Sequence, residues 1–230
     1  SFEEIDQGGK NYFGYDSNGF DSSGQAPRDM GITVSPSDPD EVHIAGINTW
    51  ISTNAGDSFS ITSQWTPDSA ANQNIGYCHA DVDDLEFYGD NLYVVTDGGL
   101  FLAENTKQVS SSYYKDLTTG MGIRQFYLMG ISQTDPVIIS AGSQDNGTSI
   151  IRQDGIWYDW LGADGFESIV DVNNSDIVYG TIYNGTMFKS TNQGSSYSGL
   201  SKPETTGWVT PLEQDSAGDL YFGGNKVYKS

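Results

Sequence analysis

Four short polar clusters hold the residues best suited to chemistry. They are His79-Ala80-Asp81, Asp97-Gly98-Gly99, Gln144-Asp145-Asn146-Gly147 and Asp164-Gly165. Carboxylates and amides suit sugar hydroxyls or a metal ion, and glycine lets backbone approach a ligand closely. His79, Asp81, Gln144, Asp145 and Asn146 are therefore candidate ligand-binding residues. Asp-Gly and Asn-Gly are also ordinary turn dipeptides, so each cluster has a structural explanation beside the chemical one. Five tryptophans (Trp50, Trp65, Trp157, Trp160 and Trp208) could stack on a sugar ring. Trp157 is the ligand-binding candidate among them, and core packing is expected for most. Asp16, Asn18 and Asp21 place oxygen ligands at near-alternate positions of an acidic loop, in the manner of a shortened calcium loop without the distal glutamate. Calcium is the one cofactor this pattern suggests. Asp83 and Asp84 beside His79 and Asp81 offer a second place for a cation.

Composition narrows the partners. The 230 residues carry 31 acidic and 10 basic side chains, a formal charge of −21. Nucleic acid and anionic membrane surfaces need Lys and Arg to replace counterions, so both are excluded as partners. No stretch is long and apolar enough for membrane insertion. A single cysteine, Cys78, allows no intrachain disulfide and no zinc cluster, and is expected as a small buried residue. His43 lies in an apolar run and is expected to be packed. No nucleophile elbow, phosphate loop or dinucleotide fingerprint is present. A sialidase would need an arginine triad. Arg28, Arg124 and Arg152 are the only arginines, and Arg124 is expected to pair with a local carboxylate.

Positioning these clusters requires a scaffold, and the chain repeats itself. Ser52-Thr53-Asn54-Ala55-Gly56-Asp57-Ser58-Phe59 and Ser190-Thr191-Asn192-Gln193-Gly194-Ser195-Ser196-Tyr197 share the pattern S-T-N-x-G-x-S-aromatic. Each follows a short apolar strand. The Asn amides can fold back onto the backbone, and Gly56 and Gly194 can supply a positive φ. Phe59 and Tyr197 then lead into a return strand. The strand-like runs 41–46, 91–96, 137–142, 176–180 and 219–224 recur about every 40–50 residues, the span of a four-stranded propeller blade. Second strands follow at 49–51, 100–102, 149–151, 187–189 and 227–229. No segment has a long helical period, and 28 glycines suit many tight turns.

The repeated octapeptide resembles the Asp-box (BNR) motif, with Asn for Asp and Phe or Tyr for Trp. Ser52, Asn54, Gly56, Phe59, Ser190, Asn192, Gly194 and Tyr197 are its structural residues here. The ordered series Tyr77–Asp81, Thr96–Phe101, Gly120–Tyr127, Ser143–Thr148 and Gly162–Gly165 is similar to Asp-box propellers of secreted bacterial proteins. Those propellers are related to the xyloglucanase-type glycosidases and to sortilin. The resemblance implies an all-β fold, a β-propeller segment of four-stranded antiparallel blades, with the corner motifs away from the functional face. It also implies a bacterial secreted or cell-surface location and polysaccharide or protein as partner. A glycosidase needs two carboxyls, and the resemblance makes Asp97 and Asp164 the catalytic pair under that alternative. The leading expectation is a non-enzymatic binding module. A third possibility, a subunit bound to a partner, would be marked by a wide apolar patch. The start at Ser1-Phe2-Glu3-Glu4 and the end inside a hairpin are read as a fragment. Residues 1–230 are then part of one propeller of roughly four to five blades, an incomplete ring, with further blades or domains in the same parent chain.

Overall fold

A computed structural model describes residues 3–5, 8–134 and 136–230. Ser1 and Phe2, on which the expectation about the chain start partly rests, lie outside the described residues. The chain divides into two compact units, residues 1–122 and 123–230.

The first unit contains two four-stranded antiparallel sheets. One is β1 (Gly31–Val34), β2 (Val42–Ala45), β3 (Thr49–Ser52) and β4 (Ser60–Ile61), paired in chain order. Two short strands, β5 (Ser63–Gln64) and β6 (Gly76–Tyr77), pair in parallel around a seven-residue helix, α1 (Pro67–Gln73). Pro67 opens this helix, where its missing N–H costs nothing. Asn74 closes it in the left-handed region. The second sheet is β7 (Val82–Tyr88), β8 (Asn91–Thr96), β9 (Gly99–Ala103) and β10 (Lys115–Asp116). β7 packs on β1 and β2. The core between them joins Ala45, Cys78, Val82, Leu85, Leu92, Val94 and Phe101. Trp50, fully buried with Val42 and Phe59, closes the outer end of the first sheet. Burial of a side chain of that size contributes roughly 2–3 kcal/mol.

The second unit contains β11 (Leu128–Ile131), β12 (Ile139–Ser143), β13 (Gly147–Ile151) and β14 (Trp157–Leu161) as one sheet. The next is β15 (Gly165–Val170), β16 (Val178–Ile182), β17 (Thr186–Ser190) and β18 (Ser198–Leu200). A three-stranded sheet follows, β19 (Leu212–Gln214), β20 (Leu220–Gly223) and β21 (Val227–Lys229). β15 packs on β11 and β12, and β19 packs on β15. Thus the first strand of each sheet lies against the first strand of the next, within each unit. Four-stranded antiparallel meanders stacked in this way are propeller blades.

Both repeated octapeptides fold into the same corner. Ser52 Oγ donates to Asn54 Oδ1 (2.8 Å) and accepts from the backbone N–H of Asn54 (3.2 Å) and Gly56 (2.9 Å). Asn54 Oδ1 accepts from Ser58 N–H (3.1 Å), and its Nδ2 donates to Ser58 Oγ (3.0 Å). The second copy repeats each bond: Ser190 to Asn192, Asn192 and Gly194 to Ser190, and Ser196 with Asn192, at 2.9–3.2 Å. The residue between Asn and Gly, Ala55 or Gln193, is itself left-handed (φ 57° and 51°), which the octapeptide alone did not indicate. Its N–H reaches back to the carbonyl of Asp40 or Asp176 before the second strand, tying corner to sheet (2.9 Å in both). Phe59 is buried against Trp50, whereas Tyr197 is half-exposed beside Trp160 and Phe188. Ser52→Ala or Ser190→Ala is expected to cost about 1–3 kcal/mol, because two backbone donors lose their acceptor. Urea unfolding of each variant checks this.

Candidate functional site

In a meander entered in strand order, the segment leading into the first strand and the second-to-third hairpin share one end of the sheet. The third-to-fourth turn lies at the other. The S-T-N corners are third-to-fourth turns in both units. Every polar cluster singled out above lies at the opposite end. In the first unit, His79–Asp81 leads into β7, and Asp97-Gly98 is the β8–β9 hairpin. In the second, Gln144–Asn146 is the β12–β13 hairpin, and Asp164 leads into β15.

The first-unit residues form a charged cluster around Arg28. Its guanidinium pairs with Asp83 (2.8 Å), Asp29 (3.2 Å) and Asp97 (3.2 Å). Asp29 is 1% exposed. Burial, with Asp81 next, pushes its carboxyl up to about 6. Asp81 is buried and takes a positive φ of 61°. It accepts from Gln25 Nε2 (2.8 Å). Burial also raises its carboxyl. His79 has Nδ1 within 3.2 Å of the Ala80 carbonyl, and its ring covers Gly98 so closely that no side chain fits there. The glycine after Asp97 is therefore a packing requirement.

In the second unit Asp164 is engaged by backbone. Its Oδ1 accepts the N–H of Asp145 (3.0 Å), which itself sits in the left-handed region (φ 62°). Asn146 donates through Nδ2 to the Gln144 carbonyl (3.3 Å), and Gln144 is exposed. Arg124 pairs with Asp159 and with Ser149 on the neighbouring strand, as expected of a local partner. Burial alone would raise Asp159, but hydrogen bonds from Arg124 and Ser149 outweigh it and leave the group below its usual range.

Tryptophan burial departs from expectation. Trp50 and Trp160 are buried, but Trp65, Trp157 and Trp208 are 41–48% exposed. Strict alternation puts Trp160 on the face opposite Trp157 unless β14 bends, and Trp157 is exposed while Trp160 is buried. The register slips between Thr148 and Ser149, which pair with Leu161 and Asp159, so Trp160 is the extra residue and Leu161 is buried beside it. Trp157 stays outside, tilted over Phe126 (5.1 Å, 30°). Trp208 stacks on Tyr183 (5.6 Å, 10°) and meets the buried Phe166 edge-on (5.5 Å). This anchored pair sits at the β16–β17 hairpin, on the same end as Asp164, and was not singled out from the sequence. Only the periodic placement of that hairpin could have pointed to it.

The calcium-like loop is partly occupied with its own hydrogen bonds, although Asp21 Oδ1 is buried without a hydrogen-bond partner. Asn18 Oδ1 accepts from Phe20 N–H (2.9 Å), and Asp16 contributes its carbonyl to Gly19 N–H (3.1 Å). Asp21 Oδ2 accepts from Tyr15 N–H (2.9 Å) and Ser23 (3.0 Å). His43 and Cys78 are buried as expected.

Fold and site together define an all-β protein built of β-propeller blades. In three dimensions the chain is similar to a GH74 enzyme of Niastella koreensis (TM-score 0.53, 14% identity, 87% of this chain and 32% of that one). Also similar are an ancestral GH74 enzyme (TM-score 0.39, 17% identity, 90% and 31%) and YCF48 from Cyanidioschyzon merolae (TM-score 0.35, 14% identity, 90% and 70%). The chain spans about a third of the length of the two GH74 enzymes. No protein-family profile matches the chain, and no curated protein is similar to it in sequence. Among the described residues no helix is long and apolar enough to cross a membrane.

Proposed function

We propose that the chain is part of one Asp-box propeller in a larger secreted or cell-surface bacterial protein, serving as a non-enzymatic surface for polysaccharide or protein. The observation that carries this reading is the engagement of the two candidate acids. Asp97 is held in an ion pair by Arg28, and Asp164 caps the Asp145 backbone. A general acid and a nucleophile need carboxyls free to meet substrate. Trp208 on Tyr183, and Trp157 on Phe126, instead offer anchored, exposed ring faces suited to a sugar. The acidic surface favours neutral over anionic polysaccharide. Protein is the other class of partner, and exposed Met30, Ile32 and Val34 at β1 are an apolar patch for it.

The alternative is a glycoside hydrolase using Asp97 and Asp164, in line with the GH74 likeness in fold. Calorimetric titration with a panel of soluble neutral β-glucans separates the two. Binding without turnover is expected, with Trp208→Ala weakening it about tenfold or more, the value of one lost stacking contact. Asp97→Asn and Asp164→Asn should leave affinity within about twofold. Reducing-sugar release by the parent chain, abolished in either Asn variant, would overturn the non-enzymatic proposal.

A further inference from the structure

We propose that the first unit carries a sugar-stacking site of its own, formed by Tyr15 and Trp65, which takes a neutral sugar residue independently of the Tyr183–Trp208 pair in the second unit. The inference rests on the carbohydrate reading given above and extends it to a second, separate site.

Position in the meander comes first. The fourth strand of a sheet returns to the end at which its second and third strands are joined, so the segment leaving it meets that hairpin. In the second unit Trp208 follows β18 in this way and lies on Tyr183 of the β16–β17 hairpin. The first unit repeats the arrangement in its first sheet. Trp65 follows β4 and β5. Its partner is brought in from the segment before β1. Asn48, fully buried in the β2–β3 hairpin, donates through Nδ2 to the carbonyls of Gly14 (3.4 Å) and Tyr15 (3.2 Å) and so fastens Tyr15 at that end. Tyr15 and Trp65 then meet edge to face, 6.3 Å apart at 73°. The sheets β7–β10 and β11–β14 place Asp97-Gly98 and Gln144–Asn146 at the same hairpin instead. A Tyr–Trp pair therefore stands at an equivalent place in each unit.

Exposure and surroundings suit a ligand. Tyr15 and Trp65 are 40% and 41% exposed, much as Tyr183 and Trp208 are. Aromatic rings left open in this way keep apolar area that a stacked pyranose can cover. Polar groups stand beside the phenol. Tyr15 neighbours the Gln25 side chain, and burial, followed by the charge of Asp81, raises its hydroxyl above the usual range. Gln25 is half-buried and is held in place by donating to Asp81 (2.8 Å). An amide and a carboxylate next to exposed rings are the partners that sugar hydroxyls need. The same carboxylate repels an acidic sugar, so the ligand class is neutral.

The test is calorimetric titration with cellotetraose. The Trp157→Ala chain serves as parent, so that Trp65 and Trp208 are the exposed tryptophans left among the described residues. Two equivalents are expected to bind. The Tyr15–Trp65 site should be about tenfold the weaker, because its rings stand farther apart (6.3 against 5.6 Å) and hold one another less firmly. Trp65→Ala and Trp208→Ala should each remove one equivalent, and the two together both. Trp65→Phe keeps a ring and should keep two. All the replaced side chains are exposed, so Tm should stay within a few degrees of the parent's and show that each variant folds. A single equivalent that Trp208→Ala abolishes and Trp65→Ala leaves untouched would overturn the inference while the carbohydrate reading stood. A single equivalent lost only in Trp65→Ala would uphold the first-unit site and remove the second. No saturable heat in the parent would overturn the inference and the carbohydrate reading together.

Discussion

Gly142→Val is expected to disrupt the second unit, costing more than about 3 kcal/mol, a large share of a domain's net stability. Gly142 lies in β12 where that sheet meets β15. A Cβ placed there would fall well inside contact distance of the Phe166 carbonyl oxygen and amide nitrogen and of the Gly165 carbonyl carbon. These are backbone atoms, at the irregularity between the Gly165 and Ser168 pairs with β16, so no rotamer change relieves the clash. The two blades must separate instead. Separation would uncover Phe166 and break the 2.7 Å bond between Ser168 and Ser140 that joins the sheets. Gly142→Ala should cost about 1–3 kcal/mol for the same reason in smaller measure. Gly162, with open space where its side chain would go, is the control: Gly162→Ala should stay within about 0.5 kcal/mol. Urea unfolding followed by tryptophan fluorescence measures all three. A Gly142→Val chain as stable as the parent would mean that β12 and β15 do not pack as described.

Stability in chelator is expected to rise as pH falls from 8 to about 4.5, the reverse of common acid sensitivity. Asp29 is pushed up to about 6, and Glu167 on β15 up to about 7, chiefly by burial and then by Asp81 and Glu213 respectively. An acid whose folded pKa is raised holds more protons folded than unfolded between its two pKa values. Stability is therefore lost as pH rises through that window, from about 4 to 7, and is flat above it. After allowance for solvent screening each group contributes about 1–2 kcal/mol, or a few degrees of Tm. General repulsion among the surplus negative charges acts in the same direction. His43 opposes it: burial lowers its pKa, so stability is lost as pH falls below its ordinary value of 6.5. Asp38, Asp154 and Asp215 are held below their usual range by hydrogen bonds and turn the curve down again at lower pH. Asp29→Asn and Glu167→Gln should raise Tm at pH 8, leave it unchanged at pH 4.5 and together flatten the slope. An unchanged slope in the double variant would show that neither carboxyl is strained.

Local pattern made much of the fold legible. Asn91–Thr96 and Val227–Lys229 are read to the residue, because turn residues bracket runs of β-formers. The S-T-N-x-G corner is legible since all its side-chain bonds close within four residues of one another. What was hidden depends on distant parts of the chain. Leu161 is buried beside Trp160 because of a slip against β13, which no property of its own neighbours announces. Arg28 meets Asp83 and Asp97 from 55 and 69 positions away, and spacing gave no sign that one arginine would hold both. Asp97 and Asp164 were legible as polar residues at blade ends, but not as groups already committed to a guanidinium and an amide. Asp29 and Glu167 look like ordinary surface acids, and only the packing of one blade on the next makes them unusual.

Both corners use an amide where a carboxylate could stand. Asn54 and Asn192 present the same accepting oxygen, and in addition each donates to a serine across the loop. The side-chain bonds that shape the bends consequently involve no titratable group. The two asparagines add nothing to the excess anionic charge, hold the bends in shape in acid and brine alike, and leave the opposite rim of each blade as the place where proton and salt concentration register.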